Sequence, residues 1–267
     1  MILVGKFSGN LYSGKTNWYL KNDYKLNRSL YYMKIDDYEF YAESFDILDT
    51  QYSEWLEEKT LLLNSLLEGK KIIEVGCGSG LLLQYVPKSF DITGVDFSQG
   101  NLDKAKEKNP HVSFFKADLN DKNDWVDYSE GFDTVLCSEV VEHIENDKTA
   151  MEILYSLVKP GGVLVLTVPA FNLLFSEFDR KEGHFRRYSK KQISSLIEHA
   201  GFRIEQCRYW NVMGFLGWFF FIKILNLNLK KSSNSVFSTI MGKFLKLERK
   251  TKFPLGQTII VKARKPF

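Results

Sequence analysis

Two carboxylates and an imidazole lie close together in Glu139-Val-Val-Glu142-His143. If this stretch is helical, positions i, i+3 and i+4 share one face, so the three side chains converge. Mixed Glu and His donors suit Mg²⁺, Mn²⁺, Fe²⁺ or Zn²⁺, and such an ion lowers the pKa of a coordinated hydroxyl. The spacing predicts a metal site or a metal-free general base; the alternative is that Glu142 and His143 only cap a helical turn.

A glycine-rich turn, Gly76-Cys-Gly78-Ser-Gly80, follows an apolar run and precedes a predicted helix at residues 79–85. Glycines in such a turn let backbone N–H groups approach a ligand closely. Asp96 ends the next apolar run, 20 residues after Gly76, where a carboxylate can accept the hydroxyls of a ribose. Asp118 ends the third run and could meet an adenine amino group.

The acidic residues distinguish between two nucleotide cofactors. Glu74, beside the glycine turn, would repel the pyrophosphate of NAD, and the spacing G-x-G-x-G differs from the dinucleotide pattern G-x-G-x-x-G. S-adenosylmethionine instead carries a sulfonium and an ammonium, which Glu74, Asp96 and Asp118 would attract. An NAD-dependent dehydrogenase remains an alternative, as does a purely structural role for the glycines and acids.

The elements that must position these residues alternate between short apolar runs and helical stretches. The fold class predicted is α/β, because runs that are apolar on both faces indicate a parallel sheet covered by helices on each side. Predicted strands lie at residues 71–75, 91–95, 112–115, 132–136, 163–168, 202–209 and 257–263, and predicted helices at 51–67, 79–85, 98–108, 146–158 and 189–199.

Changes in composition along the chain suggest four parts. We expect a tyrosine-rich N-terminal lid or cap at residues 1–68, a core at 69–210, an aromatic and basic cap insertion at 211–256, and the last core strand with its tail at 257–267. The insertion is far longer than a hairpin between two strands requires.

The cofactor motifs resemble those of class I S-adenosylmethionine-dependent methyltransferases. The resemblance implies a Rossmann-like sheet of seven strands with an antiparallel seventh, Asp96 on the ribose, Phe97 flanking the adenine and Asp118 near its amino group. It also implies cofactor contacts at Glu74, Gly76, Gly78, Leu119 and Cys137. The matching segments are Ile73-Glu-Val-Gly-Cys-Gly-Ser-Gly80, Gly94-Val-Asp-Phe-Ser98, Lys116-Ala-Asp-Leu119, Phe132-Asp-Thr-Val-Leu-Cys-Ser-Glu-Val-Val-Glu-His-Ile144 and Leu157-Val-Lys-Pro-Gly-Gly162.

The Glu-x-x-Glu-His pattern is similar to that of ubiquinone-biosynthesis O-methyltransferases and small-RNA 2′-O-methyltransferases. In those families it binds a divalent metal together with a later histidine, and His184 stands at a matching place. The resemblance thus implies a metal set of Glu139, Glu142, His143 and His184, binding Mg²⁺ or a similar ion. Gly183-His-Phe-Arg-Arg-Tyr188 also resembles a segment of a bacterial and archaeal methyltransferase group, and this resemblance implies no particular substrate.

Two adjacent arginines, Arg186 and Arg187, follow His184. Because arginine binds carboxylate or phosphate in a bidentate manner, they predict an anion clamp in the substrate cleft. We therefore expect His143, Glu142 and Arg187 to be the catalytic residues.

Charge and cysteine content bear on partners and compartment. The three cysteines and the absence of a signal-peptide start predict a reduced, cytoplasmic compartment without disulfides. From residue 223 onward there are 11 Lys/Arg and one acid, giving +10, while the remainder has 25 against 32, giving −7; together they make the net +3. A basic tail beside the apolar run 212–222 suggests peripheral membrane contact, or else only a solvated basic face.

These observations favour O-methylation of a hydroxyl on a small or lipid-like acceptor, such as a quinone, polyprenyl or glycolipid. An RNA 2′-O-methyltransferase is an alternative, although no RNA-recognition motif accompanies the basic residues, so nucleic acid is not the expected partner. A non-catalytic protein that binds S-adenosylmethionine is the other alternative.

Overall fold

The computed structural model describes residues 53–217, 219 and 235–267. Its centre is a seven-stranded sheet in the order β3-β2-β1-β4-β5-β7-β6. Strands β1 to β5 run parallel to one another, and β7 is antiparallel to both of its neighbours, β5 and β6. The strands are β1 Lys71–Val75, β2 Asp91–Asp96, β3 Ser113–Lys116, β4 Phe132–Ser138, β5 Val158–Pro169, β6 Arg203–Trp210 and β7 Thr258–Arg264.

Helices cover both faces of this sheet. They are α1 Ser53–Asn64, α2 Gln99–Lys108, α3 Asp147–Leu157, α4 Glu177–Lys181, α5 Lys190–His199, α6 Val212–Gly217 and α7 Ser235–Lys250, with 3-10 turns at Leu82–Tyr85, Lys122–Tyr128, Val141–His143 and Asn172–Leu174. None of the helices in the described part of the chain combines the length and apolar character that crossing a membrane requires. The predicted α/β architecture with an antiparallel seventh strand is confirmed.

The main core lies where the apolar face of α3 meets the central strands. Met151 and Leu154 of α3 pack with Val135 of β4 and Leu166 of β5, all fully buried. Asn146 caps α3 by accepting a hydrogen bond from Thr149 N, which satisfies one of the N–H groups that a helix start leaves unpaired. The strand order reverses between β1 and β4, and ligands of doubly wound sheets bind at such a switch point.

The opposite face of the sheet is covered by α1 and α7. Leu62 and Leu63 of α1 and Leu245 of α7 are buried against Trp210 of β6. Of the predicted lid, residues 1–52 lie outside the described residues; the described helix α1 packs on the sheet rather than beyond it. Of the predicted cap insertion, residue 218 and residues 220–234 likewise fall outside, whereas α6, residue 219 and the chain from α7 onward are described.

Candidate functional site

The glycine turn lies at the carboxyl end of β1, next to the switch point. Gly76, Gly78 and Gly80 all have positive φ angles, of 76°, 53° and 74°. A Cβ on Gly76 would lie 2.3 Å from Cγ2 of Val140. The helix predicted at residues 79–85 is wrong: only the 3-10 turn Leu82–Tyr85 forms there, so the backbone of the turn itself, not a helix start, faces the ligand position.

Replacing Gly76 by alanine should therefore damage the turn. The left-handed backbone costs an L-residue about 1–2 kcal/mol, and the contact with Val140 adds a clash that the packed core resists. We expect a lower Tm and loss of cofactor binding, measured by thermal unfolding and calorimetry. Gly217→Ala is the control, since a Cβ there meets nothing within 4 Å; equal losses in both variants would contradict the role given to the turn.

Asp96 ties the end of β2 to the glycine turn. Its Oδ2 accepts a hydrogen bond from Gly78 N at 2.9 Å, and its Oδ1 accepts one from Ser98 N at 2.9 Å. Burial raises the pKa of this carboxyl, although the two backbone donors act in the opposite direction. The side chain is thus held rigidly at the position expected for a ribose contact.

Glu74 is buried on β1, below the turn, and its Oε2 has no hydrogen-bond partner among the described residues. Burial raises its pKa to about 8, and the nearby charge of Lys59 only partly offsets this. An unpartnered buried carboxylate is costly unless a cationic or hydrogen-bonding group completes it. These residues therefore fit a positively charged cofactor such as S-adenosylmethionine.

Cofactor binding should release a proton from Glu74. At pH 7 a carboxyl with a pKa of about 8 is mostly protonated, and a bound cation favours its ionised form. The affinity for S-adenosylmethionine should consequently rise with pH from the ordinary pKa of 4.5 up to about 8. Calorimetry in buffers of different ionisation enthalpy measures the released proton; if Glu74→Gln releases as many, the proton comes from another group.

The adenine side of the expected pocket contains an exposed ring. Phe97 follows β2 and is 61 % exposed, as a ring that stacks on a base would be. Asp118 Oδ1 accepts hydrogen bonds from Asn120 N and Nδ2. Leu119 and Cys137 are buried and belong to the main core; their contacts with the cofactor stay predictions.

A second cluster forms beyond β4, where Glu142, His143 and His184 each offer a ligand atom within 4.8 Å of the others. The rings of the two histidines meet edge to face at 4.5 Å between centroids. Glu142 is 0 % exposed, and its carboxyl group lies within hydrogen-bonding reach of the Glu139 carboxyl. A buried carboxylate beside two imidazoles fits a divalent cation, in agreement with the chemistry of the donor set.

The local backbone differs from the helix expected here. Residues Val141–His143 form a single 3-10 turn, and Glu139 before it has a φ of 55°. Glu139 therefore does not share a helical face with Glu142 and His143 and is outside the cluster of three. The predicted four-residue metal set is brought together only in part.

Burial, reinforced by the neighbouring His184, lowers the pKa of His143 to about 3. The ring is therefore neutral near pH 7 and keeps a nitrogen lone pair. Burial also raises the pKa of Glu142, and the charge of Glu139 raises it further. Both shifts follow from crowding these groups together away from water.

His184 is oriented by Asp179, a fully buried residue of α4. Asp179 Oδ1 lies 3.1 Å from His184 Nδ1 and accepts a hydrogen bond from Arg187 Nε at 2.7 Å. A proton on Nδ1 of His184 leaves the lone pair on Nε2, which lies 3.5 Å from Glu182 Oε2. Asp179 was missed as a site residue in the sequence, because only burial distinguishes it from the other charged residues of its segment.

Arg186 and Arg187 do not form the exposed, bidentate anion-binding pair that the sequence predicts. Arg187 is buried against Asp179, and Arg186 donates hydrogen bonds to the carbonyl oxygens of Ile144 and Glu145. Arg186 thus braces the loop that carries His184 against the turn that carries His143, whereas Arg187 ties the same loop to α4. A direct catalytic role for Arg187 stays a prediction.

Lys59 of α1 is the other residue that the sequence analysis missed. It is 3 % exposed, and its Nζ lies 3.3 Å from Oε1 of Glu139. No motif marks it, since a lysine in a helix is ordinarily solvated.

A family model described as a methyltransferase domain matches residues 48–207, more than half of the chain. The curated relatives include ubiquinone biosynthesis O-methyltransferases. The protein from Rickettsia bellii is 31 % identical over 102 residues, which cover 36 % of this chain and 41 % of the relative. The protein from Proteus mirabilis is 28 % identical over 138 residues, which cover 48 % and 56 %. The matches thus span about half the length of these relatives.

Solved structures share the fold at low sequence identity. A chain of the complex between the Haloferax volcanii Trm112 methyltransferase activator and a methyltransferase has a TM-score of 0.59 at 17 % identity, covering 87 % of this chain and 97 % of that one. A phosphoethanolamine N-methyltransferase from Haemonchus contortus, solved with S-adenosyl-L-methionine, has a TM-score of 0.54 at 20 % identity, covering 83 % and 60 %.

The chain belongs to the methyltransferase domain family, and it shares its fold with these solved methyltransferases.

Proposed function

We propose that this enzyme O-methylates a hydroxyl group of a small or lipid-like acceptor. The observation that carries the proposal is the cluster of the buried Glu142 with the half-buried His143 and His184 beyond the carboxyl end of β4, close to the glycine turn on which Val140 packs. The ubiquinone biosynthesis O-methyltransferases among the relatives support it.

The chemistry requires an activated oxygen. The acceptor oxygen attacks the methyl carbon, the bond between that carbon and the sulfonium sulfur breaks, and the sulfur keeps the electron pair as S-adenosylhomocysteine leaves. The hydroxyl proton must depart to a base or to water. A divalent ion held by Glu142, His143 and His184 would lower the pKa of the hydroxyl and so ease this loss.

The protein's own residues supply position and exclusion of water. Asp96 and the glycine turn position the cofactor, and Asp179 orients the His184 ring through Nδ1. Because the sulfonium is already reactive, holding the two reactants in line should account for most of the rate.

Transfer of a labelled methyl group from S-adenosylmethionine into fractionated lipid, saccharide and RNA pools tests the proposal. We expect label in a lipid or small-molecule pool as an ether, and loss of labelling after chelation. Label in RNA, or on nitrogen or carbon, would refute the O-methylation of a lipid-like acceptor.

We propose in addition that α7 contacts an anionic lipid surface. Lys243, Lys246, Leu247 and Lys250 stand at positions i, i+3, i+4 and i+7 of the helix and are all exposed, while Leu245 on the other side is buried. Three lysines around an exposed leucine complement a negatively charged membrane.

Replacing Lys243, Lys246 and Lys250 by glutamine should weaken binding to vesicles that contain anionic lipid. Each lysine near such a surface is worth about 1 kcal/mol, so the expected loss is on the order of 100-fold. Vesicle co-sedimentation measures it, with Lys104, Lys106 and Lys108 of α2, also exposed, replaced in the control. Equal binding by the two triple variants would refute the contact.

A further inference from the structure

We infer that Lys59 withholds Glu139 from the cation site, so that the site has three protein ligands, Glu142, His143 and His184. The inference rests on the proposed cation site and goes beyond it by reassigning Glu139 from ligand to partner of a buried lysine. It follows from the contacts of Glu139 and from the burial of Lys59.

Glu139 is held toward β5 by its backbone and its side chain. Its N–H donates to the carbonyl oxygen of Thr167 at 3.0 Å, and its Oε1 accepts a hydrogen bond from Thr167 Oγ1 at 3.0 Å. The φ of 55° is unfavourable for a non-glycine residue and persists only where the surroundings impose it. These contacts determine where the carboxylate points.

Lys59 provides the charge that matches this carboxylate. Its ammonium lies 3.3 Å from Glu139 Oε1 and 5.0 Å from the centroid of the Trp55 ring. Because the side chain is almost fully buried, water cannot replace Glu139 as its partner. Taking one member from a buried ion pair is strongly destabilising, so a bound ion would recruit Glu139 only at the expense of Lys59.

Glu139 does neighbour Glu142, whose pKa its charge raises. Glu139 is therefore close enough to reach the site, and we infer that its pairing with Lys59 is what keeps it from binding the ion. A site with three protein ligands leaves coordination positions open, and an acceptor hydroxyl needs such a position beside the cofactor.

Calorimetric titration of the full chain with Mn²⁺, without cofactor, tests the inference. Glu142→Gln should weaken Mn²⁺ binding by at least about 100-fold, beyond the 10–100-fold typical of residues around the ligands. Glu139→Gln should stay within about threefold of the wild type, below that range. Lys59→Met, which releases Glu139, should bind Mn²⁺ about tenfold more tightly, and Lys59→Met/Glu139→Gln should return to the wild-type value.

The outcomes separate this inference from the proposed function. If Glu139→Gln loses Mn²⁺ binding as Glu142→Gln does, Glu139 is a ligand and the inference is wrong, while the cation site stands. If Lys59→Met shows no tightening, Lys59 does not withhold Glu139. If the wild type binds no Mn²⁺, the cation site fails and the inference fails with it. The double variant, which removes both charges, tests whether Glu139 is a ligand should Glu139→Gln not fold.

Discussion

Replacing Asp96 by alanine should abolish measurable binding of S-adenosylmethionine. The carboxylate fixes the glycine turn through Gly78 N and the following loop through Ser98 N, and it is the predicted acceptor for the ribose. Hydrogen bonds to a charged group are worth about 1.5–3 kcal/mol each. Losing the two bonds that the ribose hydroxyls would donate to this carboxylate corresponds to a loss of affinity of more than about 100-fold.

Calorimetry with S-adenosylmethionine and S-adenosylhomocysteine measures this loss. Asp103→Ala is the matched control, because Asp103 is an exposed residue of α2 whose carboxylate accepts only a local hydrogen bond from Gln99 among the bonds described. Wild-type affinity in Asp96→Ala would contradict the placement of the cofactor at this switch point.

Replacing His143 by alanine should reduce methyl transfer by about 10²–10⁴-fold, the usual contribution of a positioned proton-transfer group. The loss is expected whether His143 acts as a base or as a ligand, since its ligand atom lies within 4.8 Å of those of Glu142 and His184. The Kd for S-adenosylmethionine should not change, because His143 is not among the residues that hold the glycine turn.

Steady-state kinetics measures the loss of methyl transfer, and cofactor titration measures the Kd for S-adenosylmethionine. His199→Ala, at the exposed end of α5, is the control and should retain full activity. If His143→Ala keeps full turnover, the catalytic assignment is wrong. If chelation of the wild type causes a loss equal to that of His143→Ala, the histidine acts through an ion; if chelation has no effect, it acts as a base.

The sequence by itself determined the sheet and the cofactor side of the site. Alternating apolar runs predicted all seven strands to within a few residues, apart from the start of β5, because burial on both faces leaves a strong compositional signal. The glycines and the acids Glu74 and Asp96 were found because a turn at the end of a parallel strand has few solutions. Even there, the helix expected after the glycine turn proved to be the 3-10 turn Leu82–Tyr85.

Only the tertiary structure decided which charged groups meet. Spacing suggested that Glu139, Glu142 and His143 share a helical face, but contacts with Thr167 hold Glu139 in a left-handed conformation. Lys59 reaches it from a helix 80 residues earlier in the chain, and such long-range pairing leaves no local pattern in a sequence. The burial of a charge depends on the elements that close over it, and it is this burial that distinguishes Lys59 from the solvated lysines of the chain.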